Sequence, residues 1–223
     1  MIAKEGRIIL IPLLLVTFPI GVYAHATNNN ILIILYSILG LLFLFSLNFF
    51  RDPVRKMPIG EDLIISPADG KIVKINEIDD PEVGKSAKSV SIFLNVFNVH
   101  VNRVPVDGVV LSKEKKSGKF LAAFEHKASD ENEQVITILK NDIGNFKIKQ
   151  IAGLIARRIL CYANVDIEMK RGDRLGFIRF GSRTDLIIPS KFKIMVKVGQ
   201  KVKGGETVIG SLWKLKTIKS QNV

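Results

Sequence analysis

Residues 8–24 and 31–50 are two apolar runs without one acidic or basic side chain, joined by the short polar stretch His25-Ala26-Thr27-Asn28-Asn29-Asn30. Nothing else in the 223 residues restricts the fold as much. About 20 apolar residues match the hydrocarbon thickness of a bilayer. There, every backbone polar group must be bonded within the segment, so a helical hairpin is expected. The first run is shorter and carries Pro12 and Pro19, which is compatible with a kink or with partial insertion. A cleaved signal peptide is disfavoured, because the second run follows at once and the Thr-Asn loop is a poor small-residue cleavage site. Lys4 and Arg7 precede the hairpin, Arg51, Arg55 and Lys56 follow it, and the loop has no Lys or Arg. By the positive-inside rule both ends, and the body after residue 50, are expected on the cytoplasmic side of the cell membrane.

The remainder is a different material. Mean hydropathy is +0.24 with 47% hydrophobic residues, and the excess lies before Arg51. The formal charge is +12; Lys4 and Arg7 against Glu5 leave +1 before Arg51, so +11 belongs to the body. A basic body anchored by a hairpin points to an anionic partner, either nucleic acid or acidic lipid. Arg51, Arg55, Lys56, Lys113, Lys115, Lys116 and Lys119 are candidate lipid contacts, against the plainer reading that such charges only solubilise. Aromatics make up 8%, mostly phenylalanines in apolar runs, so the interleaved stacking residues of a nucleic-acid binder are missing and that class is set aside. One cysteine, Cys161, excludes an internal disulfide, and it and three histidines offer no metal-ligand spacing.

The organisation is therefore a membrane hairpin over residues 1–50 and a second domain over 51–223. That domain is expected to be mainly β. Short β-type runs at 63–65, 71–75, 90–97, 108–111, 135–139, 146–151, 174–180, 186–188, 192–198 and 207–212 are separated by turn residues, with no long segment of helical period. Such spacing suggests a barrel or sandwich. Residues 151–163 fit either a helix face or a continued strand, and the charged residues 113–127 read as a loop that could cover a site. Near the C-terminus, residues 196–210 carry the Val-x-x-Gly-x-x-Val-x-x-Gly-Glu pattern of barrel-sandwich hybrid folds such as biotinyl and lipoyl domains.

Three positions carry chemistry-bearing side chains. Gly181-Ser182 sits between two strand-like runs. It is either an ordinary turn or a place where a serine hydroxyl can attack the adjacent glycine carbonyl. Asp69, in Ser66-Pro67-Ala68-Asp69-Gly70, is either an Asx turn or an orienting carboxylate. His100 is either a strand residue bonded within the packing or a base with a pKa near neutrality, and an aspartate could fix its tautomer. The parts of a triad are present, but spacing does not bring them together. Neither a Gly-x-Ser-x-Gly elbow nor a phosphate-binding Gly-Lys-Ser/Thr loop occurs. His25 and His126 are expected to be solvated.

Phe49-Phe50-Arg51-Asp52-Pro53, Ser66-Pro67-Ala68-Asp69-Gly70, 97–105 (Phe-Asn-Val-His-Val-Asn-Arg-Val-Pro), Asn132-Glu133, 152–159 (Ala-Gly-Leu-Ile-Ala-Arg-Arg-Ile) and 180–185 (Phe-Gly-Ser-Arg-Thr-Asp) occur in this order. Together they closely resemble the short form of phosphatidylserine decarboxylase proenzymes, which also carry a membrane hairpin. One departure is Gln134, where that family often has an arginine after the Asn-Glu pair.

The resemblance implies a pyruvoyl enzyme with a barrel/sandwich-hybrid catalytic domain. His100, oriented by Asp69, would deprotonate Ser182. The serine would attack the Gly181 carbonyl, and self-cleavage between 181 and 182 would leave a larger β chain and a smaller α chain beginning with a pyruvoyl group derived from Ser182. The implied reaction is decarboxylation of phosphatidylserine, or a closely related serine phospholipid, to phosphatidylethanolamine through a Schiff base to that group, with His100 returning a proton. The partners implied are the phospholipid, the membrane and the two chains of one precursor. Substrate-contacting residues and any homo-oligomer are left open. The rival reading is a non-catalytic, membrane-anchored carrier or adaptor, which lacks an evident lysine at a hairpin tip and leaves the other motifs unexplained.

Overall fold

The computed structural model describes residues 1–60, 62–119, 131–153, 158–179 and 182–212. Its chain is mainly β, with a helical pair at the N-terminus. A short 3-10 turn over Lys4–Gly6 leads into α1 (Arg7–Ala26), and α2 follows at Asn30–Phe49. Asn29 stops one helix and starts the next: its side-chain oxygen accepts from the amides of Ile31 and Leu32 at 3.0 and 3.2 Å, satisfying two donors that the first turn leaves unbonded. α1 is continuous through Pro12 and Pro19. At Gly21 a Cβ would lie 2.6 Å from the Tyr36 ring, so only glycine lets the two helices approach this closely there. Both helices are long and apolar enough to cross a membrane, and most of their large side chains face outward.

Among the described residues the body comprises β1 (Leu63–Ile65), β2 (Gly70–Asp80), β3 (Gly84–Leu94), β4 (Val101–Arg103), β5 (Gly108–Lys116), β6 (Gln134–Asn141), β7 (Gly144–Ile151), β8 (Ile159–Cys161), β9 (Glu168–Met169), β10 (Arg174–Ile178), β11 (Ser182–Ile188), β12 (Phe192–Ile194), β13 (Lys201–Val202) and β14 (Val208–Leu212). Eight form one curled sheet in the order β13-β2-β3-β11-β7-β6-β5-β9; β1-β14-β12 and β4-β10-β8 form two small sheets. The main core gathers Ile72, Ile92, Ile148, Leu186 and Phe146 of the large sheet with Ile64, Phe192 and Ile209 of the β1-β14-β12 sheet. Burial of such side chains is worth roughly 1.5–3 kcal/mol each.

A second core joins the hairpin to the body. Phe49 and Phe50 at the foot of α2 pack with Ala3, Leu10, Val99, Val101 and Phe177. The chain start is tied to the same place: the Ala3 amide donates to Phe50 O and the Asp52 amide to Met1 O, both at 2.7 Å. Glu5 is buried here, accepting from Arg174 at 2.8 Å and from the Tyr162 hydroxyl.

Some segments differ from expectation. The expected loop begins as strand: Lys113–Lys116 belong to β5, where exposed charged side chains are compatible with strand geometry. Residues 120–130, including His126, lie outside the described residues, as do Phe180 and Gly181. Within 151–163, Ile159–Cys161 is strand and 154–157 lie outside the described residues. His25 is exposed in the last turn of α1, its ring edge-on to Tyr36.

Candidate active site

β11 is the strand on which the site is built. It is hydrogen-bonded on both sides, Ser182 opposite Leu94 of β3 and Arg183 opposite both Phe93 of β3 and Ile151 of β7. Every residue from Ser182 to Ile188 is buried. A polar strand in such a place needs internal partners. Arg183 donates to Asp185 at 2.6 Å and to the Ser91 hydroxyl at 2.7 Å. On the other face the Gln150 amide donates to Asn102 Oδ1 at 2.8 Å, and Asn102 Nδ2 donates to Thr184 Oγ1 at 3.3 Å. Gly176 makes room for this relay: a Cβ there would meet Leu160 O at 2.1 Å and Gln150 Nε2 at 2.7 Å.

The relay links β11 and β4, at whose starts two of the predicted residues lie. Ser182 begins β11, two residues before Thr184 and on its strand parity, and His100 lies just ahead of β4, two residues before Asn102. Both are fully buried, and among the described residues neither the Ser182 hydroxyl nor His100 Nε2 has a hydrogen-bond partner. The His100 carbonyl accepts from the Ile178 amide at 3.2 Å, which ties it to the end of β10, four residues ahead of Ser182.

The histidine is held by an Asx turn. Asn95 Oδ1 accepts from the Phe97 amide and Asn98 Oδ1 from the Asn95 amide, both at 2.9 Å. The turn aims the Asn98 carbonyl at His100 Nδ1, 2.9 Å away. A carbonyl only accepts, so Nδ1 carries the proton and Nε2 presents a lone pair. Arg51 clamps the turn, donating to Phe97 O at 2.7 Å. The imidazole lies against Phe49 and Phe177, with centroids 4.3 and 6.3 Å away. Burial among these rings lowers the His100 pKa to about 4; the Asn98 bond opposes this and the Arg51 charge adds to it. At neutral pH the ring is an uncharged base.

Asp69 lies in a separate cluster. Arg55 Nη2 donates to both its carboxylate oxygens, at 2.7 and 2.9 Å, and the Gly204 amide donates to Oδ1 at 2.8 Å. No Asp69–His100 hydrogen bond is formed among the described residues. The two are connected through backbone, because the Arg103 amide of β4 donates to Pro67 O at 2.8 Å. An ionic chain continues toward the hairpin, with Arg103 on Asp52 at 2.6 Å and Arg174 between Asp52 and Glu5.

The proposed lipid contacts change in consequence. Arg55 is a buried partner of Asp69 and is not free for a surface. Lys113 donates to Ala163 O, and Lys115, Lys116 and Lys119 face Glu133, Glu114 and Glu131. Sequence reasoning missed Phe49, Asn98 and the Gln150-Asn102-Thr184 relay as parts of the site. All but Gln150 sat in quoted motifs, but nothing in those motifs says which side chains meet. No cluster of three or more His, Cys, Asp or Glu suited to a metal occurs among the described residues.

The profile of the phosphatidylserine decarboxylase family matches residues 42–210, which contain all of these groups except the chain start. The chain belongs to the phosphatidylserine decarboxylase family. Among relatives named phosphatidylserine decarboxylase proenzyme, that of Prosthecochloris aestuarii is 39% identical over 218 residues, covering 97% of this chain and all of the relative. That of Cupriavidus pinatubonensis is 41% identical over 219 residues and 97% of both chains. That of Chlorobaculum tepidum is 46% identical over 167 residues, 75% of this chain and 77% of the relative. The alignments with the Prosthecochloris and Cupriavidus relatives extend through the residues of the hairpin.

Proposed function

We propose that this protein is a self-cleaving decarboxylase that converts phosphatidylserine, or a closely related serine phospholipid, to phosphatidylethanolamine and carbon dioxide. The observation that carries the reading is the pair of buried atoms without a partner among the described residues, Ser182 Oγ at the start of β11 and His100 Nε2 just ahead of β4, the two strands being coupled by the Asn102–Thr184 bond. A buried hydroxyl without a partner is costly in a resting protein and is accounted for if it is a nucleophile in waiting.

In the first reaction His100 Nε2 takes the Ser182 proton, with its Nδ1–H fixed on Asn98. The serine oxygen attacks the carbonyl of residue 181, and the peptide bond shifts to an ester. β-Elimination releases the larger chain, ending at Gly181, and leaves a dehydroalanine, whose hydrolysis yields ammonia and a pyruvoyl group on the smaller chain. Asp69, paired with Arg55, fixes the turn whose Pro67 carbonyl accepts from the Arg103 amide of β4, and so acts on the position of His100 through the backbone. The residues fit such a group: position 182 is buried and remains laddered to β3, so a new chain end there would be held in place. Such a group would supply an electron-accepting carbonyl for the substrate amine, the chemistry that decarboxylation of an amino acid requires. His100, shielded from water by Phe49 and Phe177, is the group available to return a proton.

The hairpin over residues 1–50 anchors the protein in the cell membrane with the body on the cytoplasmic side, and residues 51–223 carry the reaction. Denaturing mass analysis tests the reading. The wild-type protein should give two chains divided between 181 and 182, the smaller blocked to amino-terminal sequencing. Ser182→Ala should give one chain and no carbon dioxide from phosphatidylserine. A wild-type chain that stays whole would overturn it.

A further inference from the structure

Arg179 is a half-buried cation without an anion. Its Nε is buried and has no acceptor, and no ion pair or side-chain hydrogen bond is made by its guanidinium among the described residues. The other arginines among the described residues that are not exposed are all engaged. Arg51 and Arg171 donate to carbonyls, and Arg55, Arg103, Arg174 and Arg183 to carboxylates. Taking a guanidinium partly out of water with no partner is unfavourable, and the usual resolution is an anion supplied from elsewhere.

Its place in the fold indicates which anion. Arg179 continues the β10–β8 ladder, its amide donating to Arg158 O at 3.2 Å, three residues ahead of Ser182. Strand alternation puts its side chain on the parity of Phe177, which packs against Phe49, Phe50 and His100 at the foot of the hairpin. The guanidinium thus belongs to the side from which a membrane lipid would arrive.

We propose that Arg179 grips the phosphate of the substrate headgroup and so sets the distance from lipid surface to residue 182. The assignment rests on the decarboxylase reading above. A planar guanidinium suits two phosphate oxygens at once. The headgroup carries a second anion, the serine carboxylate, but that is the group to be expelled as neutral carbon dioxide. An arginine on it would stabilise the starting state over the transition state and oppose the reaction.

The test uses the full-length protein in detergent micelles, with phosphatidylserine as substrate and the soluble phosphodiester glycerophosphoethanolamine as competitor. Arg179→Gln should still divide into two chains. Its KM for phosphatidylserine and its inhibition constant for glycerophosphoethanolamine should both rise, by about 10- to 100-fold, as expected for one lost charge-assisted pair. The change in kcat should be smaller, and weak inhibition by ethanolamine, which has no phosphate, should not move. Arg179→Lys should fall between, keeping the charge and losing the fork. If the glutamine variant cleaves and both constants stay within twofold of wild type, the assignment is wrong. If it fails to cleave, the lysine variant decides, and wild-type constants there overturn the proposal. A loss confined to phosphatidylserine, with glycerophosphoethanolamine unaffected, would give the guanidinium to the carboxylate and overturn the phosphate assignment. Absence of both cleavage and carbon dioxide in wild type would remove the decarboxylase reading itself, and this assignment with it.

Discussion

The ring of Phe49, the last residue of α2, lies 4.3 Å from the imidazole of His100, centroid to centroid. The helical hairpin thereby forms one wall of the site, and the histidine owes part of its dryness to it. Phe49→Ala should let water reach the ring and raise its pKa from about 4 toward the ordinary 6.5. The rate of precursor cleavage as a function of pH should then lose activity on the acid side at a higher pH than wild type. Phe49→Leu, which keeps the bulk, should move the profile less.

The same burial makes stability depend on pH. The unfolded chain binds a proton at His100 near 6.5, and the folded chain only near 4. The unfolded state therefore holds more protons between these values, and stability falls as pH drops from about 6.5 to about 4 by up to about 1.4 kcal/mol per unit, then levels off. Thermal melting of uncleaved Ser182→Ala protein in detergent should show this decline. A further His100→Gln substitution should flatten it.

Asp69→Asn should lower the melting temperature, because it leaves the buried Arg55 guanidinium only the more distant Glu206, 3.8 Å away, as a counter-charge. Adding Arg55→Met should restore most of the melting temperature. If Asp69 also serves the reaction as a charge, the double variant will fold and still cleave slowly, measured as the ratio of whole to divided chain over time.

Removing residues 1–50 should weaken membrane association, read by sedimentation with vesicles, and should also destabilise the body by uncovering Val99, Val101 and Phe177. Glu5→Gln separates the two effects. It keeps the anchor and loses the charge facing Arg174, so vesicle binding should persist while the melting temperature falls, at about 2–4 °C per kcal/mol lost.

How far the sequence led can be judged residue by residue. The hairpin was legible because two uncharged runs of this length have few other uses. The strands were legible because β-branched runs alternate with turn residues. Ser182 and His100 were named by chemistry, yet the contact that links their neighbourhoods, the Asn102–Thr184 bond, joins residues 82 positions apart that no local pattern pairs. Arg55 read as a lipid contact because its counter-ion, Asp69, sits in another turn. Lys113–Lys116 read as loop because charge was taken for irregularity, whereas β5 holds those charges on a strand. Phe49 was hidden by its surroundings: at the end of an apolar run, one more phenylalanine is indistinguishable from lipid-facing bulk.

β11 is flanked by β3 and β7 along nearly its whole length, and β12, β13 and β14 complete sheets begun by β1 and β2. A cut ahead of Ser182 would alter connectivity without removing a strand. The mature protein would then be an obligate pair of unlike subunits whose separation is the same event as its unfolding. Reassembly would be second-order in concentration, where the uncut precursor folds as a single molecule, so the protein can be built easily once and rebuilt only with difficulty.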